Sequence, residues 1–370
     1  MQRHFRQYKV CSFSPSLLRC IGLALCVGVF AYFGAQKAAA QTPKIDSLKR
    51  VLREDISDLE RIQTLKNLLW EYRLINPMQA VLYGKEALRV EKKNMAENDD
   101  DKSILVNRER QELYLFIGVA YRNAGEYQKA TEFVHKALLI SGKLGDSVQI
   151  AHALNSLARI YLLQKNIPPA DTMIRRALRI AHGAGDTKLL AYCLFTQSDI
   201  LFAESRYTEA LELAEQAIAL RRNRGEGVYA ADISLGIARN YAFMGKFEDA
   251  ESYAREALTV YKAQGLLYNE AVGNNALAQL YLLWKRPKLA APFALEAFRL
   301  ADSTGAKGLA REAAAFAAES HADIGKYELA FAWQQKFNAL SDSIFSEKVA
   351  QTSSLLNIEY ETRLKEEQIR

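Results

Sequence analysis

The side chains of this 370-residue chain that could do chemistry are scattered along it. Beyond the first 40 residues the histidines are His135, His152, His182 and His321, and none has a neighbour at a metal-binding spacing. The sequence also lacks H-E-x-x-H, paired C-x-x-C, a phosphate-binding P-loop and a helix-opening G-x-G-x-x-G. We therefore predict no catalytic residue, no metal site and no cofactor.

Cysteine and charge content narrow the function classes further. Three of the four cysteines lie within residues 1–40, which leaves Cys193 with no partner for an internal disulfide, and we expect it to be a small core residue. The net charge is +6, but residues 1–40 contain five basic residues and no acidic one, so the remainder is close to neutral. A groove that follows a nucleic-acid backbone is therefore not expected.

The first 40 residues have the pattern of an export signal. A basic segment precedes a run of apolar residues over 20–35, and Ala38 and Ala40 then form an A-x-A cleavage pattern. Residues 1–40 are predicted to be a signal peptide, with an uncleaved signal anchor as the alternative. Both alternatives place the rest of the chain outside the cytoplasm, either free in the periplasm or attached to the inner membrane and facing the periplasm.

From residue 111 onward the sequence repeats every 40 residues. Within each row the apolar residues fall at helical spacing in two segments, so each row predicts two amphipathic helices. Small side chains recur where two helix backbones must approach, and glycines recur where the second helix must end. These columns are Ala130, Ala170, Ala210, Ala250, Ala290 and Ala330; Ala137, Ala177, Ala217, Ala257, Ala297 and Phe337; and Gly145, Gly185, Gly225, Gly265 and Gly305.

The columns resemble those of the tetratricopeptide repeat (TPR). In the first row, Gly118, Tyr121, Ala130 and Ala137 match its pattern of a small residue, a tyrosine three positions on and two later alanines. The period of 40 exceeds the usual 34 and indicates longer helices. The resemblance implies an all-α fold, a right-handed TPR solenoid of about seven helix-turn-helix repeats, and a function in binding protein or peptide ligands.

The repeat register divides the chain. Residues 41–101 are predicted to hold a cap helix from 44 to about 53, a degenerate first TPR and an acidic loop. Residues 102–344 hold six 40-residue TPRs. Residues 345–370 are predicted to form a helical stalk, which is either a coiled coil or a cap on the last repeat.

The TPR resemblance also implies that one stripe of each first helix lines a concave groove. The candidate ligand-groove residues on this stripe are Asn155, Arg159, Tyr192, Phe195, Asp199, Phe202, Arg239, Asn275 and Gln279. One interpretation is a charge ladder in which Arg159, Asp199 and Arg239 satisfy one another between neighbouring helices. The other is a peptide site, in which amides bind the backbone, arginine binds a carboxylate and aromatic rings bind apolar side chains.

The whole chain resembles the exported TPR sensor region of bacterial sensor histidine kinases and helix-turn-helix regulators. That resemblance implies a non-enzymatic protein- or peptide-binding module in the cell envelope. The alternatives are the N-terminal fragment of a membrane sensor histidine kinase, whose catalytic half lies beyond Arg370, and a structural envelope scaffold. The expected partners are a protein or peptide ligand and a second copy bound through the C-terminal helix, with membrane anchorage as a further expectation.

Overall fold

The structure, a computed structural model, describes residues 42–94, 100–222 and 227–346. Over these ranges every regular element is a helix and no strand occurs. The helices, in chain order, are α1 Thr42–Val51, α2 Asp58–Ile75, α3 Pro77–Asn94, α4 Asp100–Asn123, α5 Tyr127–Leu144, α6 Ser147–Leu163, α7 Ile167–Gly183, α8 Thr187–Ala203, α9 Tyr207–Arg222, α10 Gly227–Phe243, α11 Phe247–Ala263, α12 Leu267–Leu283, α13 Pro287–Ser303, α14 Lys307–Asp323 and α15, described over 327–346.

The helices stack as consecutive antiparallel pairs. Helix α1 packs on α2, and six pairs follow, from α2 with α3 to α12 with α13. A seventh pair is α14 with α15, since Trp333 and Leu340 of α15 pack against core clusters that include Ala317 and Ala310 of α14. The first helix of each pair also contacts the first helix of the next pair. This arrangement confirms the predicted all-α solenoid of seven repeats with an N-terminal cap helix.

In the second to seventh repeats the turn inside the repeat is closed by one residue in the left-handed region, whereas Asn76 in the turn of the first repeat has φ of −137°. At the 40-residue period these residues are Gly125, Lys165, Ser205, Gly245, Lys285 and Gly325, all with φ between 56° and 79°. In the third repeat the N–H of Asn166 then donates to the carbonyl of Tyr161 at 2.9 Å, which satisfies a carbonyl at the helix end. Lys165, Ser205 and Lys285 therefore adopt a backbone conformation that glycine tolerates without penalty and that is unfavourable for residues with a Cβ.

The turns between repeats use the predicted glycine column. Gly145, Gly185, Gly265 and Gly305 all have positive φ, and Gly225 lies outside the described residues. Asp146 follows the first of these glycines, and its carboxylate accepts from the N–H of Gln149 at 3.1 Å. Asp186 accepts in the same way from the N–H of Leu189 at 3.0 Å, so both aspartates are N-caps.

The small columns are the core. The alanines from Ala130 to Ala290 and from Ala137 to Ala297 are at most 2% exposed, because each lies between two helices. The last repeat departs from this pattern. Ala330 is only half-buried and Tyr327 is 72% exposed, since no further repeat within the described ranges packs on α15.

Two predicted segments lie partly outside the described residues. The acidic segment between the first two repeats is helical at both ends, since α3 continues to Asn94 and α4 begins at Asp100, and only 95–99 separate them. Helix α15 continues through Phe345, where the other repeats turn, and 347–370 are not described. The predicted signal over 1–40 is also outside the described ranges, and in those ranges no helix is long and apolar enough to span a membrane.

Candidate functional site: the inner face of the solenoid

The first helices of successive repeats line the inner face of the solenoid. Helices α6, α8, α10 and α12 hold all nine predicted groove residues. Because these helices contact their neighbours in order, the nine residues lie on adjacent parts of one surface. They differ, however, in how much of their chemistry is already used inside the protein.

Arg239 pairs with Asp199 of the preceding repeat. Its guanidinium nitrogen is 2.5 Å from the carboxylate, and the arginine and aspartate side chains are 39% and 15% exposed. The same guanidinium lies 4.2 Å from the ring centroid of Phe202. The structure therefore brings together three of the predicted residues. Arg159 is not part of this pair, so only one of the two ion pairs of the predicted charge ladder is observed.

The two predicted asparagines are almost completely buried. Asn155 is 8% and Asn275 7% exposed, and the side-chain oxygen of each has no hydrogen-bond partner among the described residues. The amide nitrogen of Asn275 donates to Glu312 at 3.3 Å. Buried amides without a full set of partners are costly and can be satisfied by a bound backbone. Gln279, one repeat beyond Arg239, is exposed.

Tyr192 and Phe195 are used mainly for packing. Tyr192 meets Tyr229 edge-on at 5.5 Å, and the buried guanidinium of Arg221 lies 4.3 Å from its ring centroid. Burial and its bond to Tyr229 raise the pKa of the Tyr192 phenol, which therefore stays neutral. Phe195 fits against Gly236, where an added Cβ would lie 2.4 Å from the ring. Both rings are half-buried, which leaves only part of each for a ligand.

A further electrostatic feature is a group of three arginines, of which only Arg159 is among the nine predicted groove residues. Arg73 on α2, Arg122 on α4 and Arg159 on α6, called the inner arginines below, lie in each other's electrostatic field. Burial and the two like charges lower the pKa of Arg122 to about 9. Within residues 42–94, 100–222 and 227–346, none of the three arginines forms a salt bridge with a carboxylate, unlike Lys66 or Arg239.

An acidic group faces the inner arginines from the fifth repeat. Burial raises the pKa of Asp232, while the charges of Arg159 and Arg73 pull it back down. The hydroxyl of Tyr261 donates to this carboxylate at 2.6 Å. Arg73 of the first repeat and Asp232 of the fifth therefore lie close enough to interact electrostatically. Arg122 does lie on the predicted stripe, but Arg73 is in the degenerate repeat, out of the 40-residue register.

Family and structural comparisons agree with this architecture. The model of the family described as "Tetratricopeptide repeat" matches residues 109–182 and 190–263. These two segments therefore hold TPR-type helical repeats. Regulatory protein AfsR of Streptomyces coelicolor is 27% identical over 137 residues, which are 37% of this chain and only 14% of that protein. The match therefore spans only a small part of the much longer AfsR.

Several solved structures share the fold of this chain. A Rap protein complexed with competence and sporulation factor is 16% identical with a TM-score of 0.64, and the match covers 82% of this chain and 81% of that one. The Rap conjugation gene regulator of plasmid pLS20, in complex with a Phr peptide, is 14% identical with a TM-score of 0.59 and coverages of 86% and 94%. A signal-transduction ATPase with a TPR sensor from Pyrococcus horikoshii is 16% identical with a TM-score of 0.53, and the match spans 90% of this chain but 54% of that one. At these identities the likeness establishes the fold.

Metal ligands and a reactive thiol are the groups most relevant to catalysis. No three His, Cys, Asp or Glu side chains of the described ranges are arranged to hold a metal ion. Cys193 is buried, and burial raises the pKa of its thiol to about 12, so it is not a reactive thiolate at neutral pH. Among the described residues the inner face presents cations, amides and aromatic rings on packed helices.

Proposed function

We propose that this TPR protein is a non-enzymatic receptor whose inner face binds a protein or peptide segment that carries a carboxylate. The observation that carries the proposal is the set of three inner arginines without an ion-paired carboxylate in the described ranges. Like charges held together in a desolvated place destabilise one another, and a bound anion removes that cost. The complex of the Rap conjugation gene regulator of plasmid pLS20 with a Phr peptide supports the proposal, because a protein of similar fold binds a peptide.

The inner arginines are better suited to the ligand than Arg239. The guanidinium of Arg239 already has Asp199 at 2.5 Å, so a ligand carboxylate would have to displace it. Arg159 lies two repeats earlier, half-buried and without such a pair among the described residues. A charge-assisted hydrogen bond to Arg159 would contribute roughly 1.5–3 kcal/mol. The unsatisfied oxygen of Asn155, four residues before Arg159, suits a backbone N–H of the same ligand.

The test compares two arginines on the same face. A library of random hexapeptides is passed over the immobilised protein, and the enriched peptides are titrated by calorimetry against the unmodified chain, Arg159→Gln and Arg239→Gln. We expect at least a tenfold loss of affinity for Arg159→Gln and less than a threefold loss for Arg239→Gln, with unchanged melting curves. Equal affinity in all three proteins would place the ligand elsewhere and overturn the proposal.

We also propose that this receptor works outside the cytoplasm, as the sensor or interaction module of a signalling protein. The support is the basic, apolar and A-x-A pattern over 1–40. Anchorage by that segment and pairing of two copies through the C-terminal helix belong to the same proposal. Cell fractionation combined with N-terminal sequencing tests export and cleavage, and light scattering of the purified chain tests pairing. A full-length chain found only in the cytoplasm would contradict the proposal of export.

A further inference from the structure

The first and last repeats meet across the open side of the solenoid. A Cβ placed on Gly305, between α13 and α14, would lie 3.9 Å from Cγ2 of Ile75 at the end of α2. A single cavity of about 770 Å³ is bounded by both of these turns and is called the end cavity below. Its walls come from residues more than 200 positions apart, so the cavity exists only while the two ends of the array are close.

The walls of the end cavity combine apolar surface with positive charge. Leu74, Met78 and Leu163 supply apolar surface from the early repeats. Arg122 contributes a guanidinium from the same side, and Arg311 contributes another from the last repeat. Neither arginine is ion-paired with a carboxylate in the described part of the chain at the distances seen in its other salt bridges.

Three further groups complete the polar wall. Lys307 donates to the hydroxyl of Ser343 at 3.0 Å. Glu312 accepts from Asn275, and desolvation raises its pKa, so the acid is disfavoured as an anion in this place. Arg122 is held beside Asn123, whose amide donates to the carbonyl of Arg73 at 2.8 Å and ties the first repeat to the second. The cavity thus has a cationic end on a fixed frame beside an apolar wall.

We propose that the end cavity binds a carboxylate carried on an apolar chain, with Arg122 and Arg311 on either side of the carboxylate and the chain against Leu74, Met78 and Leu163. A volume of about 770 Å³ is within the range of small-molecule sites and holds a few residues, not a folded domain. The carboxyl-terminal residue of a peptide and a free fatty acid share this chemistry. For a peptide ligand the inference rests on the proposed function. It adds that the carboxyl terminus of the peptide binds in the end cavity.

A ligand in this place would bridge the two ends of the array. Arg122 belongs to the second repeat and Arg311 to the seventh, so occupancy favours the arrangement in which these repeats are close. Occupancy should therefore slow hydrogen exchange in two segments at once, over 74–78 and over 305–312. A ligand confined to the middle repeats would protect neither segment in this paired way.

The experiment uses three probes on the full chain. They are random hexapeptides ending in leucine with a free carboxylate, the same peptides with a carboxamide, and sodium decanoate. Binding is measured for the unmodified chain, the cavity variants Arg122→Gln and Arg311→Gln, and Arg159→Gln. The control is Arg175→Gln, whose guanidinium pairs with Asp171 on an exposed surface. We expect the free-acid peptides to bind at least tenfold more tightly than the amides. Each cavity variant should remove most of that difference, and the control should keep it.

The outcomes separate this inference from the proposed function. Decanoate binding that depends on Arg122 and Arg311, without peptide binding, would support the end cavity and overturn the peptide function. Peptides that bind equally well as acids and amides, insensitive to both cavity variants but sensitive to Arg159→Gln, would overturn the end cavity and keep the function. Absence of binding by all three probes at 1 mM concentration, on the order of the weakest specific affinities, would overturn both.

Discussion

Replacing Gly236 with alanine tests whether close packing between the fourth and fifth repeats sets the geometry of the inner face. In the middle of an ordinary helix this change stabilises a protein by about 1 kcal/mol, because glycine loses more backbone entropy on folding. On α10, however, the new Cβ would lie 2.4 Å from Cε2 and 2.8 Å from Cζ of the Phe195 ring. Overpacking of this kind costs roughly 1–3 kcal/mol. We therefore expect a net loss of about 1 kcal/mol in the free energy of unfolding.

Two comparisons isolate the clash. Gly142 on α5 has no atom within 4 Å of its added Cβ, so Gly142→Ala should gain about 1 kcal/mol. In a Phe195→Ala background the ring atoms are gone, and Gly236→Ala should then also be stabilising. The coupling in this double-mutant cycle should be about 2 kcal/mol. Urea denaturation measures all four proteins of the cycle, and hydrogen exchange in α8 and α10 follows the same repeats locally. The reasoning fails if Gly236→Ala stabilises the unmodified chain as much as Gly142→Ala does.

Three other predictions concern single sites. Arg239→Ala should lower the free energy of unfolding by less than about 1 kcal/mol, since its pair with Asp199 is partly exposed; a larger loss in urea denaturation would contradict a surface-like pair. Lys285→Gly should raise stability by about 1 kcal/mol, because Lys285 has φ of 56°, and a drop in melting temperature would argue against strain there. Burial raises the pKa of Asp232 in the folded state. The contribution of Asp232 to the free energy of unfolding is therefore most favourable below the pKa that this acid has in the unfolded chain, and it is lost as pH rises through the pKa in the folded chain. Asp232→Asn should therefore gain stability relative to the unmodified chain between pH 4 and 7, and a constant difference across that range would show that the carboxylate is not desolvated.

The sequence predicted the repeated parts of the structure well, for a physical reason. In a solenoid each repeat contacts only its neighbours, so the same local packing problem recurs and leaves the same side chains in each row. The column from Ala130 to Ala290 and the glycines at the repeat junctions are direct results of that recurrence. The turns inside the repeats also recur at the 40-residue period, but the left-handed conformation of Lys165 has no signature in its residue type.

The details of the inner face could be predicted less well. Arg159 and Arg239 occupy equivalent positions, yet the structure shows an ion pair only between Arg239 and Asp199, because side-chain rotamers and not the period decide it. The position of Arg73 depends on how the small rotations between repeats add up around the array. A period read along the chain cannot give that sum, so the contact between the first and last repeats was not predicted.

The distribution of charge links binding on the inner face to the shape of the array. The inner arginines come from the first three repeats, whereas Asp232 and Glu312 come from the fifth and seventh. Asp232 feels the attraction of Arg73 and Arg159, and in turn helps to offset the repulsion among the arginines. A ligand carboxylate bound to the arginines would compete with Asp232 for the same positive charge. Protonating Asp232 removes the competitor, so an anionic ligand should bind more tightly as pH falls through the raised pKa of that acid, and Asp232→Asn should remove this dependence. The small buried residues that recur in each repeat supply the frame, while a few charged side chains outside the repeat pattern decide what the interior binds.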